Sequence, residues 1–279
     1  MVTGSAVLVA ALVISSRSAV APGRPAHPAP VPIVIPEQAA ALEDATLACL
    51  AKDPRVRRVL TQRLVEALAG LAENGSHQTP ESYYALGLRR FAQSDSQEDY
   101  ERAEAAYLRA VELRPEWAMA YNALGIVNHS MHRVEAAEKA FKKAIELDPA
   151  WSRPHNDLAI LYRMTNRLEL AEEEALRALE LDPEDVANYN NYGNLLLEQK
   201  RHEDAEEMYK LALEREPDQP APYFNLACLA SIRGETRPAL AYLTCAIILD
   251  DAYRSEALRE KHLANLREDP EFQHVLNGG

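Results

Sequence analysis

Asparagine recurs at 34-residue intervals in this chain, at Asn122, Asn156 and Asn190. Asn191 and Asn225 repeat the interval one residue further along, and Asn194 follows Asn190 by one helical turn. A carboxamide carries one acceptor and two donor hydrogens, the complement of a peptide group. A row of them can hold an extended backbone without reading its side chains. The same residue type also favours helix starts or bonds to a neighbouring repeat, and the spacing fits either use. About five such contacts at a net ~1 kcal/mol each give roughly 5 kcal/mol, near millimolar affinity. Apolar groups must therefore add to any capture. Ile126, Ile160, Leu197 and Phe224 share the stripe and are the candidates. Arg153 and Arg163 stand there against Asp157 and Glu198, so the stripe's formal charge nearly cancels.

Other chemistry is not signalled. The 10 glycines form no phosphate-cradling loop, and neither G-x-S-x-G nor paired C-x-x-C occurs. His129 and His132 are three residues apart, but His132 falls at an expected turn, so the two do not make a metal pair on one helix. His155 occupies a column held elsewhere by Tyr121, Tyr189 and Tyr223 and reads as a packing residue. No catalytic residue, metal ligand or cofactor is expected, and the chain is not read as an enzyme. Only residues 37–79 lie outside the repeats and the two ends, too few for a catalytic domain.

The elements that must carry the asparagines follow from the same period. A small residue recurs at Gly125, Ala159, Gly193 and Ala227. Alanines recur at Ala137, Ala171, Ala205 and Ala239, and again at Ala144, Ala178, Ala212 and Ala246. Proline closes three units at Pro149, Pro183 and Pro217, with Asp251 in the last. A fixed period of this size marks a stacked helical array. Tyr121, Leu124, Gly125 and Asn128 define one helical face, and Ala137, Phe141 and Ala144 a second. Each unit is therefore a helix pair, with small residues where the helices cross. The turn column reads His132, Asn166, Lys200, Gly234. A left-handed helix end suits three of these, and Lys200 fits it poorly.

These motifs resemble the tetratricopeptide repeat family, whose pattern runs Leu-Gly, Tyr, Ala, Phe, Pro. Tyr121, Leu124-Gly125, Ala137, Phe141 and Pro149 match it, as do Tyr189, Tyr192-Gly193, Ala205, Tyr209, Ala212 and Pro217. An earlier unit carries Tyr83, Leu86-Gly87, Ala103, Tyr107, Ala110 and Pro115, with four extra residues between its helices in the run Gln93 to Glu98. The resemblance implies an all-α, right-handed α-solenoid of tandem helix-turn-helix repeats. Five repeats are expected, at 80–117, 118–151, 152–185, 186–219 and 220–251. It also implies peptide capture, since some members use an asparagine ladder. A clamp for chaperone tails is not expected, because Asn190 stands where that clamp has lysine.

The two ends differ from the array. Residues 37–79 read as an N-terminal helical hairpin, with Asp53-Pro54 as a helix-start signature. Residues 252–267 read as one capping helix bearing Ala257, Leu258, His262, Leu263 and Leu266, followed by a tail to 279. Residues 1–21 hold an apolar run, Ala6 to Ile14, then Ala19-Val20-Ala21, the pattern of a signal peptide without its leading basic residue. A disordered leader is the alternative. Residues 22–36 form a proline-rich linker. The location expected is periplasmic or secreted if the leader is a signal, and cytoplasmic otherwise, with no membrane insertion once it is removed.

Net charge is −13, and all 43 acidic residues lie at Glu37 or later, which argues against nucleic acid as a partner. Acidic runs such as Glu172 to Glu174 and Glu203 to Glu207 are expected as solvated faces of second helices. The 3 cysteines make no disulfide framework. Cys228 and Cys245 lie on the two helices of one unit and could approach each other, though buried small residues fit as well. The first functional reading is a non-catalytic adaptor holding an extended segment of a protein or peptide partner. The alternatives are a scaffold acting through homo-oligomeric assembly, and an accessory subunit of an enzyme such as a glycosyltransferase.

Overall fold

The computed structural model describes residues 54–75, 78–94 and 96–277. The expected leader, proline-rich linker and first hairpin helix lie outside the described residues. Two compact units divide the chain after Leu147.

The first unit contains α1 (Pro54–Glu73), α2 (Pro80–Ala92), α3 (Gln97–Leu113), α4 (Ala118–Ser130) and α5 (Val134–Leu147). Thr79 caps α2 by accepting from the Ser82 backbone at 3.2 Å, while Ser82 Oγ accepts from the Thr79 backbone at 3.1 Å. This reciprocal bonding satisfies two donors that a helix start leaves open. The core gathers Ala103, Tyr107, Trp117, Leu124 and Val127, with the Tyr84 ring 4.8 Å from that of Trp117.

The second unit contains α6 (Ser152–Met164), α7 (Leu168–Leu181), α8 (Val186–Glu198), α9 (His202–Arg215), α10 (Pro220–Ile232) and α11 (Thr236–Leu249). It ends with α12 (Tyr253–Arg259), a 3₁₀ turn (Lys261–Leu266) and α13 (Pro270–Leu276). First helices of 13 residues and second helices of 14 alternate in strict phase from α4 to α11.

The hairpin turns share one mechanism. His132, Asn166, Lys200 and Gly234 all have positive φ, between 57° and 77°. In each, the left-handed residue donates to the carbonyl three back and its successor to the carbonyl five back, as in Lys200 to Leu197 at 3.0 Å and Arg201 to Leu196 at 2.9 Å. This is the Schellman closure of a helix. Lys200 adopts it despite its Cβ, so the turn geometry overrides the residue preference.

Helix crossings are set by matched sizes. A Cβ on Gly193 would sit 2.5 Å from Tyr209 Cε1, and a Cβ on Gly125 would overlap the Phe141 ring. Gly87 stands in the same relation to Tyr107. Where the column holds alanine, the residue sixteen positions on is Ala175 after Ala159 and Leu243 after Ala227. Glycine thus appears where the facing side chain is aromatic. The close packing of interiors explains the exchange.

The C-terminal segment departs from the single helix expected over residues 252–267. Helix α12 stops at Glu260, whose backbone is extended (φ −67°, ψ 122°). The Glu260 carboxylate accepts from the His262 backbone at 3.0 Å and starts the 3₁₀ turn. Ala257, Leu263, Leu266 and Phe272 remain buried against α10 and α11, whereas Leu258 is exposed. Ser231 Oγ donates to Asn265 Oδ1 at 2.7 Å and ties the turn to α10.

Two further expectations change. The acidic runs are only partly solvated. Glu172 pairs with Arg201 at 2.6 Å and Glu206 with Arg233, each joining a second helix to the next repeat's turn. Cys228 is buried and Cys245 exposed, and both are free thiols, so only Cys228 is the buried small residue expected.

Candidate functional site

A cavity of about 800 Å³ opens in the second unit, between the first helices of its repeats and the C-terminal cap. Helices α8 and α10 contribute Asn190, Asn194, Leu197, Phe224, Asn225 and Cys228. Arg163 of α6 borders one side, and Glu256, Glu260 and His262 border the other.

The asparagines are arranged in pairs. Asn191 Nδ2 donates to Asn156 Oδ1 at 3.1 Å, and Asn225 Nδ2 donates to Asn190 Oδ1 at 2.9 Å. Both bonds join first helices of adjacent repeats through the same register. Each leaves one carbonyl lone-pair site and further N–H groups, so a paired carboxamide retains donor and acceptor capacity. Arg163 and Glu198 form an ion pair in the same 35-residue register. Half of the expected charge cancellation, Arg163 against Glu198, is therefore a direct contact.

Other asparagines differ in exposure. Asn122 is buried on α4, and Ile126 is half-buried there, in the first unit. Asn156 is buried, so its carbonyl serves helix packing rather than an open groove. Asn194 Oδ1 accepts from the Tyr209 hydroxyl at 2.9 Å. Burial, followed by nearby Cys228, raises the Tyr209 pKa and keeps that hydroxyl a donor. Ile160 and Asn191 line a smaller recess with Arg163. Arg153 is half-buried on α6 and lines neither hollow. Phe224, expected as an apolar contact for a ligand, is 4 % exposed and its ring lies 4.9 Å from that of Tyr253. It belongs mainly to the core, because the cap folds over it. Leu197 and Ile232 are the more accessible apolar edges.

Sequence reasoning missed the cap's side of the cavity. Tyr253, Glu256, Glu260, Lys261 and His262 lie outside the repeat columns, so no periodicity points to them. Burial first, then Glu256 and Asp250, pushes the Tyr253 hydroxyl up to about 12. His155, which occupies a tyrosine column, is buried and its Nδ1 lies 2.6 Å from Glu174 Oε2.

The family model described as tetratricopeptide repeat matches residues 84–150 and 156–220. The chain is a tetratricopeptide repeat protein. Solved structures with the same repeats resemble it in fold. TTC0263, a tetratricopeptide repeat protein of Thermus thermophilus, is 22 % identical, with 64 % of this chain and 100 % of that one covered and a TM-score of 0.56. PilW, described as a type IV pilus biogenesis factor, is 18 % identical over 72 % of this chain and 99 % of its own, with a TM-score of 0.56. Pseudomonas aeruginosa pilF is 23 % identical over 72 % and 97 %, with a TM-score of 0.52. No curated protein matches the chain in sequence. Tetratricopeptide repeats are in general non-catalytic interaction modules. Among the described residues, no helix is long and apolar enough to cross a membrane.

Proposed function

We propose that this tetratricopeptide repeat protein is an adaptor that holds an extended segment of a partner protein in the cavity of its second unit. The observation that carries this reading is the Asn190–Asn225 pair at the cavity wall, beside the accessible apolar edges Leu197 and Ile232. The pair offers a peptide group both kinds of hydrogen-bond partner, and the apolar edges offer side-chain burial. A few net hydrogen bonds at ~1 kcal/mol each do not reach micromolar affinity alone. Burial at ~25 cal/mol per Å² of apolar surface supplies the remainder. The lining mixes Arg163, Lys200 and Lys261 with Glu198, Glu256 and Glu260, so a segment of low net charge fits best. If the leader acts as a signal peptide, capture takes place outside the cytoplasm, and N-terminal sequencing of the protein from its host would check this.

The test is panning of a displayed random-peptide library against the full chain. Peptides so selected should bind Asn190→Ala/Asn225→Ala at least tenfold more weakly, with solution mass and helix content unchanged. Equal binding to the variant would overturn the assignment. A change of solution mass in place of lost binding would favour self-assembly.

A further inference from the structure

Cys228, Glu260 and His262 bring one sulfur, one carboxylate oxygen and one imidazole nitrogen within 4.8 Å of one another. Among the described residues no other three histidine, cysteine or acidic side chains meet so closely. Cys228 is buried on α10, and the other two come from the break between α12 and the 3₁₀ turn. His262 Nδ1 already lies 2.9 Å from Glu260 Oε1.

We propose that these three side chains form a binding site for one zinc-class divalent metal ion. The ligand chemistry points to this class. Thiolate and imidazole favour zinc over calcium or magnesium, which prefer oxygen donors. Tetrahedral zinc with bonds of roughly 2.0–2.3 Å places its ligand atoms about 3.3–3.7 Å apart. A separation at the 4.8 Å limit must shrink by about 1 Å and the 2.9 Å contact of His262 with Glu260 must open slightly, both by side-chain rotation. All three residues line the cavity, so the fourth coordination position faces it and takes water or a ligand atom.

A further carboxylate, Glu256, lines the same cavity and adds negative charge beside the three ligands. On binding, the thiol proton leaves to solvent as the sulfur–metal bond forms. The imidazole nitrogen that takes the ion, if it is the one that now faces Glu260, gives its proton to solvent or passes it to the other ring nitrogen, and then presents its lone pair. The ion would then staple the C-terminal cap to the last repeat and fix one end of the cavity. The site stands whether or not the cavity captures peptides.

Cobalt(II) titration of the purified full chain tests it. The expected result is one ion per chain, with tetrahedral d–d bands and a thiolate charge-transfer band, displaced by zinc. Cys228→Ser should abolish the charge-transfer band. His262→Gln, at a half-buried position, should weaken affinity at least about tenfold, as loss of even indirect metal partners does. A Cys49→Ser/Cys245→Ser chain should keep both features. Absence of the bands in the unaltered chain, survival of the charge-transfer band in Cys228→Ser, or unchanged affinity in His262→Gln would overturn the site.

Discussion

Asn225 Nδ2 donates to Asn190 Oδ1 at 2.9 Å, and so ties two successive repeats together at the wall of the cavity. The same bond recurs one repeat earlier between Asn191 and Asn156. These carboxamides therefore serve the stack before they serve any ligand.

That dual role predicts coupling. Asn190→Ala and Asn225→Ala should each cost about 0.5–1.5 kcal/mol, and the double change less than their sum. Urea denaturation of the four chains in a double-mutant cycle measures it. Strict additivity would mean that the bond contributes nothing in solution.

The glycine–aromatic exchange predicts a specific clash. Gly125→Ala gains about 1 kcal/mol of helix propensity, but its methyl overlaps the buried Phe141 ring. Overpacking costs about 1–3 kcal/mol, and the fixed ring puts this site at the upper end. The variant should be destabilised. Pairing it with Phe141→Leu reproduces the Ala227/Leu243 combination, so the double variant should be more stable than the two single costs imply. Thermal melts of the three variants decide.

The left-handed turns predict a gain. Lys200 holds φ at 62°, where a Cβ costs about 1–2 kcal/mol. Lys200→Gly removes that cost and adds unfolded-state entropy of about 0.5–1 kcal/mol. A net stabilisation of about 0.5–1 kcal/mol is expected. Gly234→Ala should lose a similar amount, since Gly234 sits at φ 77°. Denaturant midpoints check both.

Acid should loosen the repeat joints. Lys210 first, then Arg233, holds the Glu206 carboxyl below its usual range. A depressed folded pKa gives stability that is complete above the unfolded value of about 4.3 and is lost as pH falls through the folded value. Burial alone would raise Glu172, but bonds from Gln199, Arg201 and Tyr192 outweigh it and lower its pKa, so it acts in the same direction. Melting temperature followed downward from about pH 6 should fall less steeply in Glu206→Gln than in the unaltered chain. Parallel curves would rule out this contribution.

The sequence alone determined the helix pairs, because packing at a repeated crossing imposes repeated residue sizes. Gly125, Ala137 and Ala144 announce their roles by recurring. Residues that act once give no such signal. Glu260 breaks a helix that its apolar spacing would continue, since its carboxylate bonds the His262 backbone, and that break turns His262 toward Cys228. Cys228 and Glu260 are far apart in the chain, in a repeat and a cap that share no pattern. Likewise, the spacing of Asn156 and Asn191 allowed either a ligand contact or a bond between repeats, and the approach of their helices decided for the bond. Local periodicity fixes what each helix buries; only the docking of one helix on another fixes which polar groups meet.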